Sequence, residues 1–389
     1  MENLNIFLTI GAAGTGKTYQ IINKLETEKI ENFVILSPTH SSLHNLMKTL
    51  KPEFHKNCST VYSYFRIDYE NEKVVGASTV YQNIFIDEIG LIKKELFKKI
   101  IKSLWKSINE LRFKTEYRLH VNLYLYGDPI QLSPIYQEKR KISFKKLENY
   151  DSGVNFSYVI EHDYNSPFSL KLLNDKPKTI LTKNYRSNDS ILNLIHEMFY
   201  EKNISNMKFI SIDRVVNLIL NHNYIFISSK YDLQKPIYEL IKIHLKMKID
   251  NYVIMNNLMF YDNSRFMIAE TYKDYKNGDY LTCELKNKEI YLKTQDGLSF
   301  RYDFRNENDS QLKLLPEFLL TAHKSQGLSI ENIIICVDEL FDISMLYTMC
   351  TRARSNIYFY TNSKEIKYEE IKENLDKFQQ IMKFYKYID

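Results

Sequence analysis

Residues 11–18 read Gly11-Ala12-Ala13-Gly14-Thr15-Gly16-Lys17-Thr18, in a chain with only 10 glycines. Such crowding of a scarce residue calls for a backbone reason. The stretch follows an apolar run, Ile6-Phe7-Leu8-Thr9-Ile10, and precedes helical spacing through Ile21, Ile22 and Leu25. Strand, glycine-rich turn and helix in that order form a phosphate cradle. The glycines let N–H groups turn toward an anion at the positive end of the helix, Lys17 reaches the β- and γ-phosphates, and the Thr18 hydroxyl can hold Mg²⁺. The whole stretch from Gly11 to Thr18 is therefore expected to bind a nucleoside triphosphate with Mg²⁺.

Working outward, a second apolar strand, Ile84-Phe85-Ile86, ends in Asp87-Glu88. Two carboxylates at the end of a buried strand are costly unless ions or substrate meet them. Asp87 is expected to hold the metal with Thr18, and Glu88 to activate the attacking water. A third strand, Leu123-Tyr124-Leu125-Tyr126, leads into Gly127-Asp128-Pro129-Ile130-Gln131-Leu132-Ser133-Pro134. Strands near Phe7, Val34, Ile86 and Leu125 alternate with helical stretches such as 93–111, which predicts an α/β fold with a parallel sheet. Trp105 lies in the amphipathic pattern of Leu96, Phe97, Ile100, Ile101 and Leu104, so core packing is its expected role.

Read after those two strands, Gly127–Pro134 resembles motif III of superfamily 1 helicases, whose glutamine, here Gln131, senses the γ-phosphate. The resemblance continues along the chain. Ser37-Pro38-Thr39-His40 looks like motif Ia, and Thr60-Val61-Tyr62-Ser63 is similar to a Thr-Ile-His-Ser segment that contacts the nucleic-acid backbone. Tyr62 departs from the usual histidine; base stacking and core packing both stay open for it. Asn184-Tyr185-Arg186-Ser187-Asn188 resembles the segment that sends an arginine to the γ-phosphate. Leu319 to Gly327 is similar to motif V, and Tyr347 to Arg354 to motif VI.

The resemblance implies two RecA-like P-loop domains, over residues 1–175 and 176–389. It implies Lys17, Glu88, Gln131, Arg186 and Arg352 as the catalytic set, the two arginines acting as fingers. Tyr185 and Gly327 join the nucleotide contacts. Pro38, Thr39, His40, Thr60, Tyr62, Ser63, Thr321, His323, Lys324 and Ser325 would hold the strand. The forms of motifs III and V resemble the RecD-like and Dda-like subclass, which moves 5′→3′. The implied protein is an NTP-dependent helicase on single-stranded nucleic acid, DNA favoured over RNA, in replication or repair, working as a monomer. Nucleotide held by both domains would drive closure, and hydrolysis would reopen them. Only ten residues precede the loop, without the upstream glutamine with which many relatives read adenine. Stacking on Tyr185 is expected instead, with ATP the expected fuel.

Two smaller features are read inside these domains. At 66–81, a polar stretch between Ile67 and Val74-Val75-Gly76 predicts a short hairpin with a charged turn, where the family carries its strand-separating pin; a solvated loop is the alternative. At about 274–316, Asn277-Gly278 and Asp296-Gly297 mark tight turns in a β-rich insert, with strands around Tyr280-Leu281-Thr282-Cys283 and Tyr302-Asp303-Phe304. The insert resembles the family's SH3-like subdomain. A basic run, Lys139-Arg140-Lys141 with Lys145-Lys146, reads as a solvated linker, with contact to phosphates the alternative, and an amphipathic helix is expected over about 364–387.

Composition bounds these readings. Hydrophobic residues at 44% and charged residues at 26% describe a folded chain, and a net charge of +5 permits a polyanionic partner without demanding one. Cys58, Cys283, Cys336 and Cys350 are too scattered for a zinc or disulfide framework. With no leader pattern and no long apolar run, the chain is expected to be intracellular, in the cytoplasm, unsecreted and without a membrane partner. Rival readings are a viral-type superfamily 1 RNA helicase or triphosphatase, an inert single-strand clamp, and a P-loop signalling ATPase. The clamp fits poorly with a complete catalytic set, and the signalling ATPase with two arginine-bearing motifs.

Overall fold

The computed structural model describes residues 3–68, 71–77, 79–115, 120–132, 166–174, 176, 178–270, 275, 278–303, 312–339, 343–363, 371, 375, 376 and 379. The basic run at 139–146, Ser133, Pro134, Asn277, Phe304 and most of the expected C-terminal helix lie outside these residues. Contacts divide the chain into two units: Met1–Thr39, Leu46–Tyr185 and Glu369–Asp389 in one, His40–Asn45 and Arg186–Tyr368 in the other.

The first unit is built on β1 (Leu4–Gly11), β2 (Phe33–Ser37), β3 (Cys58–Thr60), β4 (Asn83–Ile86), β5 (Val121–Gly127) and β6 (Lys178–Leu181). They form one wholly parallel sheet in the order β3-β2-β4-β5-β1-β6. Central strands of such a sheet are covered on both faces, which is why β2 is buried at every position and reads as an unbroken apolar run. The order places β4, β5 and β1 side by side, so the segments after them (Asp87-Glu88, Asp128 to Leu132 and the glycine-rich loop) all leave the carboxyl edge together. That edge is where parallel α/β sheets bind ligands.

β6 pairs with β1, Ile10 opposite Ile180 and Gly11 opposite Leu181. Residues 178–181 thus belong to the first sheet, and the contacts divide the chain between Tyr185 and Arg186. Nothing in this short edge strand's composition marks it as part of the first domain. The helix Lys94–Thr115 packs Phe97, Ile100, Leu104 and Ile108 into the core. Trp105 corrects the expectation of core packing: it is 46% exposed, because it is turned about 100° from Leu104, which puts it at the border of the buried stripe. Among the described residues at 65–68 and 71–76, Ile67 is bridged antiparallel to Val74 and the Asp68 N–H donates to the Lys73 carbonyl at 3.1 Å, as in a hairpin. Lys93 and Lys99 tie its turn down, Lys93 Nζ at 2.6 Å from the Glu72 carboxylate and Lys99 Nζ at 3.0 Å from the Glu72 carbonyl.

The second unit carries β7 (Ile225–Ser228), β8 (Tyr252–Met255), β9 (Leu258–Tyr261), β10 (Arg265–Ile268), β11 (Tyr280–Lys286), β12 (Glu289–Lys293), β13 (Ser299–Tyr302), β14 (Leu314–Pro316), β15 (Leu319–Thr321), β16 (Ile330–Cys336) and β17 (Ala353–Tyr360). β15, β7, β16 and β17 form a parallel sheet in that order. β8 and β9 pair as a hairpin, and β13-β12-β11-β10-β14 form an antiparallel sheet with its own core of Phe260, Phe266, Leu281, Cys283 and Leu292. The β-rich insert therefore begins before residue 274. Two of its turns carry no glycine: Asn256-Asn257 and Asn287-Lys288 take left-handed φ values of 48°, 61°, 51° and 63°, the geometry of a two-residue hairpin turn.

Candidate nucleotide and nucleic-acid site

The loop after β1 is closed by its own atoms. A Cβ on Gly11 would lie 2.5 Å from Thr15 Oγ1 and 2.9 Å from Leu181 Cβ, so only glycine fits against β6. Gly14 and Gly16 have φ of 82° and 85°, and the helix Lys17–Thr27 starts directly after Gly16. Lys17 is 6% exposed, and its Nζ donates to the carbonyls of Gly11 and Ala12 at 2.8 and 3.0 Å. The lysine is thus curled over the loop whose N–H groups would meet a phosphate. Asn184 Nδ2 donates to the Ala13 carbonyl at 2.7 Å and the Tyr185 N–H to the Gly14 carbonyl at 2.8 Å. Those bonds hold Tyr185, 69% exposed, with its ring carbons 3.8 Å from where a Gly16 Cβ would be.

At the end of β4, Asp87 is 5% exposed and accepts from Thr18 Oγ1 at 2.9 Å and from the Glu88 N–H at 3.0 Å. Burial, then the neighbouring Glu88 charge, pushes its carboxyl up, against the pull of Lys17 and Thr18. A hydroxyl and a carboxylate paired in this way are hard oxygen donors, the set that suits Mg²⁺, and a divalent cation there would offset the burial of Asp87's charge. Glu88 stands in the left-handed region at φ 53°, ψ 46°, a conformation that costs a non-glycine residue about 1–2 kcal/mol. Such strain persists where surrounding structure over-determines it, often at functional positions.

After β5, the 3%-exposed Asp128 accepts from the Ile130 N–H and from Gln131 Nε2, both at 3.1 Å. The side-chain amide of Gln131 is therefore aimed by a buried acid that sequence reasoning passed over, although Asp128 stands within the same segment. Burial raises the Asp128 carboxyl and the Lys17 charge opposes it.

In the second unit Arg186 Nη1 donates to the Thr351 carbonyl at 3.2 Å. Arg352, 1% exposed, donates from Nε to the Thr348 carbonyl at 2.9 Å and from Nη2 to Thr351 Oγ1 at 3.1 Å. Two arginines 166 positions apart (352 − 186) thus share one anchor residue. After β15, Thr321 Oγ1 caps a short turn, accepting from the Lys324 N–H at 3.4 Å. Burial lowers His323 to about 4 and Lys324 to about 8, and Lys324 Nζ donates to the Ala269 carbonyl. Ser325 is fully buried and donates to the Ala322 carbonyl at 2.7 Å, so it shapes the turn from inside. Gly327 has φ of 77°.

Of the expected strand contacts, Thr39 and Ser63 are exposed, Pro38 is buried, and His40 and Tyr62 are half-buried, Tyr62 packing against the first unit's core. Thr60 spends its hydroxyl oxygen accepting from the Ser63 N–H at 3.1 Å. The structure therefore gathers Lys17, Thr18, Asp87, Glu88, Gln131 and Tyr185 at one edge of the first unit, and Arg186 with Arg352 in the second. Among the described residues no helix is long and apolar enough to cross a membrane.

No family model matches the chain. An uncharacterized protein of Acanthamoeba polyphaga mimivirus is 25% identical over 301 residues, which cover 70% of this chain and 59% of that protein. The chain thus spans about three-fifths of the curated relative it matches. Among solved structures, Pif1 from Bacteroides bound to single-stranded DNA is 17% identical, covering 98% of this chain and 94% of its own with a TM-score of 0.57. The Pif1 helicase of Candida albicans is 13% identical, covering 99% and 95% with a TM-score of 0.58. Two coordinating Pif1 helicases on forked double-stranded DNA give 18% identity, 98% and 94% coverage and a TM-score of 0.60. The fold is that of helicases with two RecA-like domains. Within that class, these three structures, each resembling nearly the whole length of the chain, are of Pif1 helicases.

Proposed function

We propose that the chain is an NTP-driven translocase and helicase on single-stranded DNA, moving 5′→3′, with ATP as its fuel. The observation that carries the reading is the convergence at one sheet edge of a buried lysine on a glycine loop, a Thr18–Asp87 pair at 2.9 Å and a glutamine fixed by Asp128. With it goes a fold shared with Pif1 from Bacteroides in complex with ADP-AlF3 and single-stranded DNA.

In this reading Lys17 and the loop N–H groups bind the β- and γ-phosphates, and Tyr185 stacks on the base. Mg²⁺ held through Thr18 and Asp87 would neutralise phosphate charge. Glu88 takes the proton of the attacking water, Gln131 orients that water beside the γ-phosphate, and Arg186 with Arg352 stabilises the charge that develops on the transferred group. The exposed Thr39 and Ser63, with Lys324, contact the strand's phosphates. The complete catalytic set favours this reading over an inert clamp.

The test is NTP turnover with and without single-stranded DNA or RNA. The wild-type chain should be stimulated by DNA more than by RNA. Lys17→Ala should lower stimulated turnover by about 10²-fold or more while strand binding persists. Undiminished turnover in that variant would refute the assignment.

A further inference from the structure

Arg186 and Arg352 are held by two different groups of the same residue. The Thr351 carbonyl accepts from Arg186 Nη1 at 3.2 Å. Its hydroxyl donates its one proton to the Thr348 carbonyl at 3.0 Å, which leaves a lone pair to accept from Arg352 Nη2 at 3.1 Å. The Thr348 carbonyl accepts Arg352 Nε as well, at 2.9 Å, so Thr348, Thr351 and Arg352 close a small ring. It is sealed: Thr348, Thr351 and Arg352 are 0%, 4% and 1% exposed.

The attachment continues beyond the guanidiniums. Ser187 Oγ donates to the Ala353 carbonyl at 2.6 Å, and Asn188 donates from its backbone to Arg354 at 2.9 Å and from Nδ2 to the Ser355 carbonyl at 3.1 Å. Residues 186–188 are thus stitched along 351–355, and Asn188 also caps the helix Asp189–Ile195 through Oδ1, accepting from the Ile191 N–H at 3.0 Å. At the other end Tyr347, 1% exposed, packs edge-on against Phe199 with ring centroids 5.3 Å apart. A guanidinium has five donors and many rotamers, so an arginine needs such bracing to meet a phosphate in one orientation.

We infer that Thr351 is a positioning residue that makes Arg186 and Arg352 a single element, its hydroxyl aiming Arg352 and its carbonyl Arg186. The inference rests on the proposed NTPase reading and deepens it. Because only the hydroxyl is removable by substitution, Thr351→Val removes its bond to Arg352 Nη2, leaving Nε on the Thr348 carbonyl and the carbonyl bond to Arg186. Thr351→Ser keeps both.

Strand-stimulated NTP turnover of the full chain tests this. Thr351→Val should lower kcat about 10-fold or more, the weight of a hydrogen bond to a charged group, with KM for the nucleotide within about 3-fold. Thr351→Ser should stay near wild type. In an Arg352→Ala background Thr351→Val should cost nothing more, since its target is gone. If the valine variant unfolds, Thr351→Ala against Thr351→Ser makes the same comparison. A Val or Ala variant with wild-type kcat, a Ser variant as impaired as they are, or a full additional loss in the Arg352→Ala background would each overturn the inference and leave the NTPase reading intact. A wild-type chain with no strand-stimulated turnover would sink that reading and the inference with it.

Discussion

His323 shows how one side chain's surroundings set a measurable property. Burial holds its imidazole at about 4, far below the usual value of 6.5, so the folded chain refuses a proton that the unfolded chain accepts. The unfolded state then binds more protons between those values, and stability falls as pH drops from about 6.5 toward 4; above 6.5 it is unaffected. His323→Gln should remove this component. On going from pH 7 to pH 5 the variant should lose on the order of 1 kcal/mol less stability than wild type, read by denaturant titration at the two pH values. Equal losses would mean that His323 is protonated freely in the fold. The same scale separates legible residues from hidden ones. Lys17 and Asp87 stood in segments whose spacing announced them. Asp128 and Thr351 act by what they touch, Gln131 Nε2 in one case and two arginines in the other, and contact between side chains leaves no spacing in the sequence.

Among elements, the loop after β1 was readable because its glycines answer a local steric demand, while its neighbour β6 was not. The two meet at Gly11, where an added Cβ would press on Thr15 Oγ1 at 2.5 Å and on Leu181 Cβ at 2.9 Å. Gly11→Ala should force loop and edge strand apart, destabilising the chain by about 1–3 kcal/mol and weakening nucleotide binding at least tenfold. Thermal melts with and without an NTP analogue check both effects; wild-type values would show that the loop is looser than its geometry. The hairpin turns divide in the same way. Gly297, φ 88°, was legible as Asp-Gly, whereas Asn256-Asn257 and Asn287-Lys288 reach positive φ without glycine and are defined by the strands they join. Trp105 sat on a plausible apolar stripe, but a single position of helical phase decides between core and solvent.

For the whole molecule, directional movement is the property to measure. A forked duplex with a 5′ single-stranded tail should be unwound in the presence of NTP and Mg²⁺, and the same duplex with only a 3′ tail should not. Preference for the 3′ tail would reject the proposed polarity while leaving the NTPase site untouched. Among the described residues at 65–76 one bridged pair, Ile67 and Val74, marks the hairpin, and movement along a single strand should outpace duplex opening; displacement of a bound protein block from single-stranded DNA compares the two.

By itself the order of amino acids marked the glycine-rich loop, the carboxylates after β4 and the α/β class, because each rests on local chemistry or on strand and helix periods; the segment bearing Gln131 and both arginine segments were legible only through their resemblance to helicase motifs. The tertiary structure alone decided that β6 closes the first sheet, that the β-rich insert starts at least as early as β10, that Ser325 is buried, that Asp128 aims Gln131 and that Thr351 braces two arginines. These depend on pairings between residues far apart in the chain, where the free energy of burial and hydrogen bonding is settled by which surfaces meet.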